Sequence, residues 1–378
     1  MSENRIKCED YLTTHVFEEP ITEQSNILTT NIDLAESGHQ ILSILAQTDL
    51  EILNGWKLNE TLTTDGLKYD ESIQKKLLKL AQLIAENIEK KSLMLILSGC
   101  GTSGRLAYLY SQKLNEYFQS KVADYILAGG DYALVNSVEA IEDRPDIGCN
   151  QLKSKLDQYT NKKIVYVGIT CGLSAPFVAG QLDYLLKEND SNLSACVLIG
   201  FNSTRMARKN IKINEANETF YDLAQRMVQL ETIQPNKFFI LNPLIGPEPI
   251  TGSTRMKSGS ATKILLDLIL SYAIQLAQND DSNSLDQSTM FNYYQNLISN
   301  VIYSKENLDK LGKLIDRGAA CLRNNGSINY VCAEERLGLL CCVDASECLP
   351  TFGAKPKDIR GFVTNRQLTK ATGNYVNK

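Results

Sequence analysis

The sequence predicts an α/β fold: a doubly wound parallel sheet with a helical region before it and the start of a second α/β unit after it. Three observations carry that prediction. From Leu93 onward, short apolar runs (LMLIL, DYILA, KIVYVGIT, ACVLIGF and KFFIL) alternate with helical stretches, as parallel strands buried on both faces do. Gly/Ser/Thr loops follow the runs, at the strand ends where open α/β sheets bind ligands. The composition, 43% hydrophobic and 22% charged with 23 Gly and 9 Pro in 378 residues, is that of folded domains rather than disorder or fibre.

Residues 1–90 read as helical. Leu34, Ile41, Leu42, Leu45 and Leu50 recur at helical spacing, as do Ile73, Leu77, Leu80, Ala81, Ile84 and Ile88, with Asp70 placed to cap the second set. Trp56 follows the turn signal Asn54-Gly55 and reads as a packing anchor. The sheet domain spans 91–280, its last helix running from near Gly259 through Ala277. The polar passage QNDDSNSLDQST then opens a connector, 281–322, with helices over about 287–304 and 305–322. The strand-like INYVCA begins a second unit, 323–378, which reads as incomplete.

Composition also excludes function classes. Lys plus Arg is 39 against 44 for Asp plus Glu, a net charge of −5, so no global basic field holds nucleic acid or anionic lipid, and neither is an expected partner. Two histidines, His15 and His39, leave little for a His-dependent triad or a metal cage. The ten cysteines show no C-x-x-C spacing, and Cys196, Cys341 and Cys342 lie in apolar runs. These features predict a reduced, intracellular protein without disulfides or metal. The start, MSENRIKCEDY, is no secretory signal, and the best candidate span, ILLDLILSYAI, is short and carries Asp267.

The chemistry is expected in three loops. Ser98 to Arg105 places Gly99, Gly101 and Gly104 ahead of a helix, so amides at a helix N-terminus can meet an anion. The literal G-x-G-x-x-G admits a dinucleotide reading, with Asp131 as the acid after the second strand. Thr102 and Ser103, however, suit the three oxygens of a phosphomonoester better. A second loop, Thr170-Cys171-Gly172-Leu173-Ser174, repeats the chemistry. The third, 246–260, carries Arg255, a fork for phosphate or carboxylate, and Lys257, a point charge. A surface ion pair is the alternative for each of these cations. Glu139 and Glu142, three apart, would share a helix face, and Glu347 is an acid in a small-residue, apolar stretch. Such carboxylates can bind hydroxyls or move protons.

The segments LSGCGTSGRLAYL, GITCGLSAPFVAGQ, LNPLIGPEPITGSTRMKSGSATKILL and DASECLPTFGAKPKDIRGF resemble the sugar-isomerase (SIS) family. Within it they resemble the glucokinase regulatory proteins and the N-acetylmuramic acid 6-phosphate etherases, over about residues 22–362. The resemblance implies flavodoxin-like SIS units and a site for fructose 6-phosphate or fructose 1-phosphate between them, with no cofactor. Gly101, Thr102, Ser103, Thr170, Cys171, Gly172 and Ser174 would hold the ligand, Glu142 would face the sugar and Arg255 would lie near the phosphate. Glu347 would enter from the second unit. Thr170 stands where the regulatory proteins usually have serine. The implied partner is glucokinase or another hexokinase, which the chain would inhibit without catalysing a reaction, in cytoplasm or nucleus. The alternative is an etherase-like lyase with Glu142 and Glu347 as acid and base. Against the regulatory proteins the second SIS unit reads as truncated.

Overall fold

The computed structural model describes residues 4–6, 19–59, 62–138, 140–188, 191–278, 287–332 and 335–363. His15, Cys8, Glu139 and most of the polar passage after Ala277 lie outside the described residues. Two three-residue strands, β1 (Asn4–Ile6) and β2 (Leu62–Thr64), pair in parallel around α1 (Gly38–Asn54). This pair has no counterpart in the sequence reading, because three residues are too few to show a period of two. Helix α2 (Glu71–Glu89) starts where expected: Asp70 accepts from the Ile73 N–H, and Ile73, Leu77, Leu80, Ala81 and Ile84 are buried.

The main sheet is built from β3 (Leu93–Gly99), α3 (Gly101–Phe118), β4 (Ala123–Leu127), α4 (Pro145–Gln158), β5 (Lys163–Ile169), α5 (Pro176–Lys187), β6 (Leu193–Ile199), α6 (Phe220–Ile233), β7 (Phe238–Leu241) and α7 (Lys257–Ala277). All neighbouring strands are parallel, in the order β4-β3-β5-β6-β7, so the doubly wound prediction holds. Alternate residues explain the unbroken apolar runs. Leu93, Leu95 and Leu97 join the core formed with α2, α3 and α7, whereas Met94 and Ile96 face the layer of α4, α5 and α6.

Helix α7 is 21 residues long, with a mean hydropathy of 1.3 over its most apolar stretch, so by length and composition it is long enough to cross a membrane. The short run noted in the sequence understated it. Its apolarity serves the core here: Ile264, Leu265, Leu268 and Ile269 are buried in the cluster shared with α2 and α3. Asp267, on the same helix, accepts from Tyr110 Oη at 2.5 Å, from Tyr294 Oη and from Lys263 Nζ at 2.5 Å.

Burial pushes the Asp267 carboxyl up, but the hydrogen bonds from Lys263, Tyr110 and Tyr294 outweigh it and hold the group below its ordinary value of 3.8. Between the two values the unfolded chain binds more protons, so stability rises with pH there and is lost as pH falls through the folded value. Urea midpoints between pH 7 and pH 3 are expected to fall below about pH 4. Asp267→Asn should be less stable at pH 7 and show a shallower acid limb; an unchanged acid limb would contradict this assignment.

Beyond α7, helix α8 (Gln287–Asn296) runs into a π-helical turn, 297–302, and α9 (Lys305–Arg323) follows. Helix α9 packs on α1 through two glycines: a Cβ on Gly38 would stand 2.4 Å from Gly312 O. Asp316 Oδ1 accepts from Gly38 N at 2.7 Å, adding to the Ser37 cap of α1. The second unit begins with β8 (Ile328–Cys332), α10 (Glu335–Phe352) and β9 (Ile359–Val363), the two strands pairing in parallel.

Candidate functional site

From β3 the chain crosses to β4 on one side, whereas β5 leads to β6 on the other. This reversal opens a crevice at the carboxyl ends of β3 and β5. A cleft of about 970 Å³ lies there, and Gly101, Thr102, Ser103, Glu142, Thr170, Cys171, Gly172, Ser174, Arg255 and Glu347 all line it. The structure thus gathers every residue singled out as phosphosugar-binding onto one cavity, from five separate stretches of chain.

The loop after β3 turns sharply, Gly101 taking φ +47°, which glycine tolerates best. Gly104 lets α3 approach β3 so closely that a Cβ there would stand 2.4 Å from Gly99 O. No side chain caps α3 at Cys100. Its first-turn amides, unspent within the helix, therefore point off the N-terminus beside Thr102 and Ser103, with the helix dipole behind them. The two loops touch through Ser103 Oγ and Cys171 Sγ, 3.6 Å apart. Thr170 holds the backbone of its own loop. Its Oγ1 accepts from Ser174 N and Ala175 N, each at 3.2 Å, so the position needs a hydroxyl to close the turn before α5.

The third helix start behaves differently. Glu248, buried, accepts from Lys257 N at 2.8 Å, Ser258 N at 3.0 Å and Ser258 Oγ, so the N-terminus of α7 already holds an anion of the protein's own. Burial raises the Glu248 carboxyl overall, against these hydrogen bonds. Lys257 is neither a phosphate ligand nor a surface ion pair: its side chain is 0% exposed and its Nζ lies 2.5 Å from Glu51 Oε2 on α1. Arg255 does reach the cleft. Its Nη1 stands 3.7 Å from Asp344 Oδ1, and its guanidinium lies 5.3 Å from the Phe352 ring centroid.

The expected helix under Glu142 does not form. Residues 140–143 make a turn, Arg144 is extended (φ −111°, ψ 90°), and α4 begins at Pro145, because a residue before proline is disfavoured in the helical region. The turn places Glu142 Oε1 3.6 Å from where a Cβ on Gly101 would sit, facing the β3 loop. Asp131, the candidate dinucleotide acid, lies in the short 3-10 turn after β4 and instead accepts from Tyr125 Oη of that strand.

Glu347, from α10, accepts from Arg105 Nη1 at 2.5 Å. Sequence reasoning places Arg105 in its loop and assigns it no role. It also misses the N-terminal stretch: Thr22 exchanges hydrogen bonds with Asn202, which donates to Gly172 O at 3.0 Å, and Glu23 pairs with Arg208. That network holds Thr22 and Glu23 in the cleft wall, which Glu19 also lines. Partners this distant in sequence leave no local pattern to read.

The site's thiols are poor nucleophiles. Burial, then Glu142 and Asp143, pushes Cys100 well up, and burial carries Cys171 up to about 11, so both stay protonated at neutral pH. No group of three or more potential metal ligands occurs among the described residues. The cleft thus combines first-turn amides and hydroxyls with the carboxylates Glu142 and Glu347 in one lining.

Comparison with known proteins agrees with this geometry. The model for the glucokinase regulatory protein N-terminal SIS domain matches residues 76–186, and that for the second SIS domain of the same protein matches 304–374. Glucokinase regulatory protein of Xenopus laevis is 37% identical over 350 residues, covering 91% of this chain and 54% of the relative. The Homo sapiens protein is 37% identical over 351 residues with the same coverage. The chain thus spans about half the length of these relatives. N-acetylmuramic acid 6-phosphate etherase of Staphylococcus saprophyticus is 28% identical over 276 residues, 72% of this chain and 76% of the relative. With two matching domain models and a parallel sheet of the expected type, the chain belongs to the SIS-domain family, and its SIS units are of the glucokinase regulatory protein kind.

Proposed function

We propose that the chain is a phosphosugar-responsive regulator that takes fructose 6-phosphate or fructose 1-phosphate in this cleft and, under that control, binds and inhibits glucokinase or another hexokinase. The observation that carries the reading is the shared cleft, whose lining brings the α3 N-terminus and its hydroxyls together with Glu142 and Glu347. The amides and hydroxyls suit a phosphate, and the carboxylates suit sugar hydroxyls. Because Glu347 belongs to the second unit, a ligand touching both it and the α3 loop favours one arrangement of the units and so changes the affinity for a partner. The regulatory role follows the name of the relatives with the greater identity. We place this action in cytoplasm or nucleus, where free thiols stay reduced.

The test is glucokinase activity with increasing amounts of the purified chain, with and without each fructose phosphate. Saturable inhibition that fructose 6-phosphate and fructose 1-phosphate modulate is expected. Absence of inhibition at any phosphosugar level would remove the kinase from the proposal. The shared placement of Glu142 and Glu347 on the cleft keeps one second reading, etherase-like lyase chemistry. Release of D-lactate from N-acetylmuramic acid 6-phosphate, abolished by Glu142→Gln, would establish it in place of the regulator.

A further inference from the structure

We propose that Arg105 is the positioning residue for Glu347, drawing a carboxylate of the second unit into the cleft of the first and fixing its distance from the α3 N-terminus. The inference rests on the phosphosugar reading above.

Arg105 is 3% exposed, and its fork is almost fully committed. Nε donates to Ala133 O at 3.0 Å and Nη2 to Asn136 O at 3.0 Å, both carbonyls following β4. These bonds set the plane of the guanidinium, and its charge is then met by Glu347 Oε1 at 2.5 Å, with Ser346 Oγ at 3.4 Å. A guanidinium can serve such separated acceptors in one plane, which an ammonium cannot.

Apolar packing supports the same docking. Cys342 and Val343 of α10 lie against Leu127, Ala133, Leu134 and Val135, in the segment whose carbonyls hold Arg105. The neighbouring Arg255–Asp344 contact is longer, 3.7 Å, and Asp344 is 51% exposed, so Arg105 is the cation that sets α10. Glu347 keeps 19% of its side chain exposed and lines the cleft. Since Arg105 stands one turn into α3, the helix fixes the spacing between the anion end and this carboxylate. Such spacing selects a ligand that carries hydroxyls at a set distance from its phosphate over inorganic phosphate alone.

The experiment is a double-mutant cycle on the full chain, with Arg105→Lys, Glu347→Gln and the combination. Calorimetry reads affinity for fructose 6-phosphate and for inorganic phosphate, and melting temperatures confirm folding. Each single change is expected to weaken fructose 6-phosphate about tenfold, with the combination no worse than either. Inorganic phosphate affinity should change less than about twofold, a pattern that general loosening of the fold would not produce. Additive losses, or equal losses for both ligands, overturn the proposal. Should Arg105→Lys fail to fold, Glu347→Asp carries the test: it keeps the charge, shortens the arm, and must weaken the sugar phosphate alone. Binding of neither ligand by the unaltered chain would sink the phosphosugar reading itself, whereas normal binding with uncoupled variants sinks only this inference.

Discussion

Lys257→Met is expected to destabilise the protein by about 3–5 kcal/mol, the cost of leaving a buried charge without its partner. The Lys257 side chain is 0% exposed and the Glu51 side chain 5%. Among the described residues, Asn26 Nδ2 at 3.0 Å and Lys57 N at 3.2 Å would remain as donors to Glu51 in the core. Pro247 O would lose the contact from Lys257 Nζ at 3.2 Å and keep the one from Asn26 Nδ2 at 3.0 Å. Adding Glu51→Gln, which removes the orphaned charge, should recover part of the loss, since a pair replaced together costs less than a pair broken. Urea denaturation at neutral pH reads both. A single-variant loss below about 1 kcal/mol, the scale of an exposed pair, would show that this ion pair does not anchor α1 to α7.

Thr102→Asp is expected to abolish phosphosugar binding, at least a hundredfold in Kd or about 2.7 kcal/mol, while leaving the fold as stable or slightly more so. Thr102 lies in the first turn of α3, where no side chain caps the helix. A carboxylate there meets the helix dipole favourably, by roughly 0.3–1 kcal/mol. It also fills the anion position and repels an incoming phosphate dianion across a few ångströms. The two effects have opposite signs, so the variant separates binding from folding. Retained fructose 6-phosphate binding would move the phosphate away from the α3 N-terminus.

Local physics made much of this protein legible in its sequence. The β3 and β5 runs and the loops after them announce themselves, because a strand buried on both faces must be continuously apolar and a loop meeting an anion needs glycines and hydroxyls. Glu142 stands out in the sequence, but the helix expected beneath it does not form, since Pro145 moves the helix start past it. Lys257 misleads because an ammonium in a hydroxyl-rich segment looks the same whether it faces solvent or Glu51, which stands 206 positions earlier. Glu248 and Arg105 are opaque for the same reason: each acts through a partner that only the folded chain supplies.

Calorimetric titration of fructose 6-phosphate into the purified chain, with NAD and inorganic phosphate titrated in parallel, tests the central claim most directly. Saturable one-site binding of the sugar phosphate, tighter than inorganic phosphate, with the sugar phosphate recovered unchanged and no heat from NAD, is the predicted result. Binding of NAD without fructose 6-phosphate, or an affinity for the sugar phosphate no greater than for inorganic phosphate, would contradict it.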